Sequence, residues 1–596
     1  MATFRYLEEK LLERLQGWKR RTLSWAAKEV LIKSVALALP LHVMSCFKLP
    51  LSLCRLLDKH VARFWWSVEE EQSKIRWVSW RNLCKSKHDG GMGFSRFEHF
   101  NQALLAKIGW QILNDPQSLL AQVYQGKYFP TGTFLTAQAR SRPSWGWQSV
   151  LYGRELLEKG IRWQVGNGLK TSLLSSNWIP LLHPNPPQFN PLVLPVGGGL
   201  PVAEVIIPGE GRWDESKLNQ WFDPPTCRAI TTIPLPRGTV EDRLVWHDSA
   251  DGAFSVKSAY HLAVRLDQCT NRWRATVSWM DRVSWIRLWG AKIPPKLKVF
   301  LWQIFNRALP TAEALREKDV EVHPRCPVCW SASETMEHLF LDCPVARALW
   351  DFAGLEHLGQ GLPRQTFPLF LKTLMAIVHK SDLWLAVVAV LWRIWKSRNW
   401  VVFEGKQFGF PALMRQYHQQ LAEWARLPAD PGMGPVNPCP SRLNPVRSTS
   451  IVCMWDGATR RGSHSAGGIV VMTSAREILG VVGVQFQCID DPLVVEVLAL
   501  REALWWCLEH GFPMVQFEGD AKVVIDKINR AETGDIRMGA VLEEVVSCFA
   551  SRTGFSVRFV GRRNNRVAHV VARKALSLLP SACRVFDFQA WLNSRM

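Results

Sequence analysis

No stretch of this 596-residue chain is both long and apolar enough to cross a bilayer. The two most apolar runs are Val35–Cys54 and Leu383–Trp392. Pro40, His42, Lys48 and Pro50 interrupt the first, and the second falls well short of the roughly 30 Å of hydrocarbon in a membrane. No secretory signal is expected, because Met1–Arg21 is strongly charged and lacks an apolar centre. No repeat of fixed period occurs. Fourteen cysteines in a chain of this length argue against a disulfide framework, the more so because four ligand-type residues fall at metal spacing. These absences argue against a secreted, transmembrane or disulfide-stapled protein. They leave the expectation of a soluble intracellular one, nuclear or cytoplasmic, with no membrane partner.

What is present is size, apolar content and positive charge. The chain is too long for one core, and 47% hydrophobic residues should fold most of it. Lys plus Arg number 73 against 52 Asp plus Glu, a formal net charge of +21. Residues 448–596 hold 17 Lys/Arg and 15 Asp/Glu, so +19 resides on the first 447 residues. Such an excess suits a polyanionic partner, and nucleic acid (RNA–DNA hybrid, RNA or DNA) is the expected one; solubility alone is the plainer explanation. Thirty tryptophans make a Trp-rich core, or less commonly platforms for single-stranded bases.

The pattern along the chain is multidomain and mainly helical at first. Apolar spacing predicts a helix over Tyr6–Leu39 and another over Phe97–Leu113, within a helical region spanning 1–180. Residues 181–243 read as a loop-rich connection, on Pro180, Pro184, Pro186, Pro187 and Gly197–Gly199. A compact unit follows over 244–350, then a helical region over 351–427. Residues 428–450, with six prolines from Pro428 to Pro445, read as a linker. Beyond it the order becomes βββαβααβα over 451–580, a mixed α/β domain with a five-stranded sheet.

Three carboxylates fall at distinctive places in that last domain. Asp456 lies in the first strand, Glu496 in the first helix among apolar neighbours, and Asp520 where the Met514–Glu518 strand ends. Buried carboxylates are costly unless paired or metal-bound, and three converging ones would make a hard oxygen site for Mg²⁺ or Mn²⁺. Singly, Asp520 reads equally as the N-cap of an Ala521–Ala531 helix, Glu496 as a solvated position, and Asp456 as a turn cap with Gly457.

A second cluster reads C-x₂-C-x₈-H-x₄-C: Cys326, Cys329, His338 and Cys343. Cys₃His is a recurrent structural Zn²⁺ set, and the Cys-x-x-Cys knuckle presents two thiolates on one turn. The alternative is four unrelated residues.

Several motifs carry a resemblance. Trp455-Asp456-Gly457-Ala458, Ala466-Gly467-Gly468, Glu496 to Leu504, Glu518-Gly519-Asp520 and Asn565 to His569 resemble the ribonuclease H-like domain of plant non-LTR (LINE-type) retroelement polyproteins. Trp285–Leu301, Arg307 to Thr311 and Glu337 to Phe340 resemble the reverse-transcriptase zinc-binding domain of the same polyproteins. Gly17-Trp18-Lys19, Arg63 to Trp66 and Gly90 to Phe94 are similar to the segment that follows their reverse-transcriptase palm. The resemblance implies that Asp456, Glu496 and Asp520 are the first three catalytic acids and ligate two ions roughly 4 Å apart. One ion would activate a water and the other would stabilise the leaving 3′ oxygen, with Asp456 bridging both. It places His569 where many relatives have a fourth acid, an exchange that suits Mn²⁺ better than Mg²⁺. No histidine occupies Val560–Asn565, and Arg562, Arg563 and Arg566 are the expected phosphate contacts. A Tyr/Phe-x-Asp-Asp turn is missing, since the only Asp-Asp pair is Asp490-Asp491. The expectation is therefore a 3′ portion of an element, without polymerase activity, acting as a hydrolase on RNA–DNA hybrid. The competing reading is a decayed nucleic-acid-binding relic; a plain structural protein is a third.

Overall fold

The computed structural model describes residues 4–19, 23–67, 75–138, 143–174, 177–185, 187–190, 200–270, 280–359, 366–379, 381–406, 409–425, 451–460, 464–578 and 585–593. The expected proline-rich linker at 428–450 lies outside the described residues. The chain forms two compact units, each assembled from two separated stretches, whereas the sequence reading places its domains end to end. One unit comprises 1–104 with 266–439, the other 105–265 with 440–596. Among the described residues no helix is long and apolar enough to cross a membrane.

The first unit is helical. The single helix expected over Tyr6–Leu39 is instead two, Arg5–Lys19 and Trp25–Leu31, the latter running into a wider turn over Ile32–Ala36. The break follows from Ser24, whose hydroxyl accepts the Ala27 amide and so starts a new helix. The helix Leu51–Trp66 buries Leu53, Leu57, Val61, Phe64 and Trp65 on one face. Later helices include Pro295–Phe305, Pro344–Phe352, Phe367–Val378 and Asp382–Glu404.

The second unit holds the helices Leu119–Tyr128 and Trp145–Gly160, and a strand Ile161–Gln164 that pairs antiparallel with Arg243–Trp246. Residues 181–243, expected as a loop-rich connection, contain the helices Glu215–Trp221 and Pro224–Thr231. They also supply Val202, Trp213, Phe222, Ile230 and Leu235 to a buried cluster with Val165 and Trp178. Prolines and glycines mark the loops of this segment, while its apolar residues are spaced too irregularly to announce a core.

The remainder of this unit is the α/β domain. Its elements are β1 (Ile451–Thr459), β2 (Ser465–Met472), β3 (Ile478–Phe486), α1 (Pro492–Glu509), β4 (Val515–Gly519), α2 (Lys522–Asn529), α3 (Gly539–Ser551), β5 (Phe555–Phe559), α4 (Arg566–Ser577), β6 (Val585–Asp587) and α5 (Gln589–Asn593). The sheet order is β6-β3-β2-β1-β4-β5; β1, β4 and β5 are parallel and the other pairings antiparallel. Among the described residues the sheet thus has six strands where five are expected. β6 is three residues long, and its side of the sheet is sealed by Phe588 and Leu592 against Val481, Val571 and Ala575.

Both faces of the sheet are covered. α1 and α3 pack on one, burying Val495, Leu498, Leu500, Val541 and Val545 with Trp455 and Phe517. α4 lies on the other, so close that a Cβ on Gly468 would stand 2.4 Å from the Ala568 carbonyl oxygen. Glycine at 468 is therefore what lets α4 reach the central strands. Gly457 does the same for α1: a Cβ there would meet the Glu496 amide at 3.1 Å. Two glycines thus draw the starts of α1 and α4 toward the same end of β1.

Candidate active site and metal centre

Asp456 points from β1, Glu496 from the first turns of α1, and Asp520 from the residue after β4. One carboxylate oxygen of each lies within 4.8 Å of the others. The parallel pairing of β1 with β4 makes this possible, because it sets the end of β4 beside Asp456. Asp520 does not cap α2: the N-cap position is Ala521, with no side-chain capping bond. Its carboxylate turns to the Asn565 amide group at 3.4 Å and to Arg562 Nε at 3.4 Å.

The electrostatics of this cluster favour a cation. Burial pushes the Asp456 carboxyl up to about 6; the hydrogen bond from His569 opposes that rise and Asp520 adds to it. Burial pushes Glu496 further, to about 9, aided by repulsion from Asp456 and Asp520. Glu496 Oε2 is buried and has no hydrogen-bond partner. A buried, unpartnered carboxylate oxygen facing two more carboxylates is a donor set matched to a hard divalent ion.

His569 joins the three acids. Its Nδ1 stands 2.8 Å from Asp456 Oδ2, and its side chain is 48% exposed, so the ring bridges the buried acid and the surface. Arg562, Arg563 and Arg566 are all exposed around the start of α4, and Arg562 also touches Asp520. Sequence reasoning missed the role of Asn565. This residue is 1% exposed, donates to the Trp455 carbonyl at 2.8 Å, and ties β1 to Asp520. Its place at the N-cap of α4, four residues before His569, is the available signal, since one helical turn sets the two side by side.

The second cluster lies in the first unit. Ligand atoms of Cys326, Cys329, His338 and Cys343 lie within 4.8 Å of one another, and all three cysteines are free thiols. Cys329 Sγ is 3.2 Å from His338 Nε2. The knuckle closes through Trp330 N–H to the Cys326 carbonyl and Cys326 N–H to the Ala332 carbonyl. A wide turn over His338–Asp342 then returns the chain, so that Cys343 N–H bonds the His338 carbonyl at 2.7 Å and the Cys343 thiol faces the knuckle. Cys326 and Cys343 couple: their hydrogen bond raises the first thiol and lowers the second. Three thiols and an imidazole brought this close together are a donor set that suits Zn²⁺. A support invisible in the sequence is the buried Glu334–Arg398 pair at 2.6 Å, which fastens the knuckle to the helix Asp382–Glu404.

Comparison with known proteins places both clusters in recognised modules. A family model described as zinc-binding in reverse transcriptase matches residues 254–350, and one described as reverse transcriptase-like matches residues 455–575. An Arabidopsis thaliana protein named "Putative ribonuclease H protein" is 28% identical over 603 residues, covering 97% of this chain and 93% of its own length. An uncharacterized mitochondrial protein of Arabidopsis thaliana is 43% identical over 152 residues, 25% of this chain and 99% of that one. Among solved structures, RNase H1 from the halophilic archaeon Halobacterium salinarum NRC-1 matches with 23% identity and a TM-score of 0.20, covering 21% of this chain and 97% of that one.

Proposed function

This chain belongs to the family of plant retroelement-derived proteins that join a reverse-transcriptase zinc-binding module to a ribonuclease H-like module, and from that premise we propose that it cuts the RNA strand of RNA–DNA hybrids. The observation that carries the reading is the convergence of Asp456, Glu496 and Asp520, with a buried Glu496 oxygen left without a partner. These three would hold Mg²⁺ or Mn²⁺. When bound, a pair of such ions supplies water activation and neutralises charge on the leaving 3′ oxygen.

The chain's own groups do the rest. His569 holds Asp456 by its Nδ1 hydrogen bond and fixes which oxygen remains open to the cluster. Asn565 fixes Asp520 relative to β1. Exposed Arg562, Arg563 and Arg566 would take the phosphates flanking the scissile one, holding the strand in register over the acids. Cys326, Cys329, His338 and Cys343 would hold a structural zinc with no open coordination position. The test is incubation of the full chain with end-labelled hybrid in Mg²⁺ or Mn²⁺. Cleavage of the RNA strand and not of single-stranded RNA or the DNA strand is expected, and cleavage of neither strand by the wild type would overturn the reading.

A further inference from the structure

The helix Leu51–Trp66 in the first unit is apolar on its buried face and basic on its open one. Arg55 and Lys59 are exposed one helical turn apart, about 6 Å along the axis. Together with Arg76, Trp80, Arg81 and Arg96 they line a cleft of about 400 Å³. Two of these cations are already ion-paired: Arg81 and Arg96 both reach Asp267, at 3.0 Å and 2.9 Å, and Arg96 also reaches Glu98 at 3.3 Å. Arg55, Lys59 and Arg76 have no carboxylate partner among the described residues, so three positive charges face an open concavity. The remaining acid in the wall, Asp58, is buried, and burial pushes its carboxyl up to about 7, which weakens its opposition to an incoming anion. Trp80 stacks on Phe94, with ring centroids 5.3 Å apart and planes 13° from parallel, and lines the cleft.

We propose that this cleft is a second nucleic-acid contact, in which Arg55, Lys59 and Arg76 take backbone phosphates and Trp80 flanks the strand. Nucleic acid is favoured over a membrane because the cleft's lining combines separated cations with an aromatic wall and holds no large aliphatic side chain. It is also favoured because the positive excess of the chain lies in its first 447 residues while the proposed nuclease domain is nearly neutral. Binding at this cleft is independent of cutting, so the inference stands or falls apart from the nuclease reading.

The experiment is fluorescence anisotropy of the full chain with labelled RNA–DNA hybrid, without added divalent ion, across a salt series. Each phosphate contact adds roughly 0.9 to the slope of log affinity against log salt on a duplex. The triple variant Arg55→Gln/Lys59→Gln/Arg76→Gln should lower that slope by about 2 to 3, and affinity at 0.1 M salt by at least tenfold, with an unchanged circular dichroism spectrum. A control variant carrying Arg14→Gln, Lys127→Gln and Arg228→Gln removes the same charge from exposed positions outside the cleft. Equal losses in the two variants, or an unchanged slope in the first, would overturn the inference. So would loss of binding to phosphatidylserine vesicles alongside an unmoved hybrid slope, which would give the cleft to a membrane surface.

Discussion

His569 Nδ1 lies 2.8 Å from Asp456 Oδ2, where a carboxylate would add a hard ligand and imidazole adds a hydrogen bond instead. On the proposed function, that exchange would set the metal preference. His569→Asp should raise hybrid cleavage in Mg²⁺ relative to Mn²⁺, since an oxygen replaces a borderline nitrogen beside the cluster. Rates in the two metals, wild type against variant, give the ratio directly; an unchanged or lowered Mg²⁺/Mn²⁺ ratio would show that position 569 does not tune the site.

Glu496 predicts a pH effect on stability. Its folded value of about 9 lies above the ordinary glutamate value of 4.5. The folded state therefore binds this proton more tightly than the unfolded state. The stabilisation is fully present below about 4.5, and is lost as pH rises toward 9. Metal-free protein should lose melting temperature across that window, Glu496→Gln should lose less, and Mn²⁺ should restore more at pH 8 than at pH 5. Parallel melting curves for wild type and Glu496→Gln across the window would contradict the assignment.

The cysteine–histidine cluster predicts one zinc per folded chain. Cys329→Ser should release it and lower the melting temperature of the first unit, because the energy of binding the metal is also energy of folding. Elemental analysis of the purified protein decides it, and folded wild-type protein without zinc would rule the cluster out.

The ribonuclease H-like domain should depend on residues 235–238. Arg237 pairs with the buried Glu502 at 2.7 Å, Arg501 reaches both Glu502 and the Leu235 carbonyl, and Glu544 accepts the Gly238 amide at 2.8 Å. Removing one member strands its partners away from water. Glu502→Ala should cost on the order of 3 kcal/mol in urea unfolding of this unit. A loss below 1 kcal/mol would mean that the contact is dispensable.

How far the sequence reveals this molecule depends on the length and regularity of its signals. The strands and helices of 451–578 follow from alternating and helical periodicity; Asp456 and Glu496 stand out because each interrupts an apolar element, and Asp520 because it stands where a strand ends. The Cys326 to Cys343 spacing is equally plain. Asn565 and the Glu334–Arg398 pair are different: polar residues whose worth lies in partners 110 and 64 positions away. No local pattern marks such pairs. β6 is too short to show alternation, and the core at 165–235 is built from single apolar residues between turns. The Ser24 cap is of a readable type, but it lies within a longer run of apolar spacing that spans the break.

The most direct test of the account is strand-resolved cleavage of RNA–DNA hybrid by wild-type protein beside Asp456→Asn, Glu496→Gln and Asp520→Asn. If the converged carboxylates hold the divalent ions, each variant falls to background in Mg²⁺ and in Mn²⁺ while hybrid binding measured without divalent ion is retained. Variants that still cut the RNA strand at the wild-type rate would contradict it.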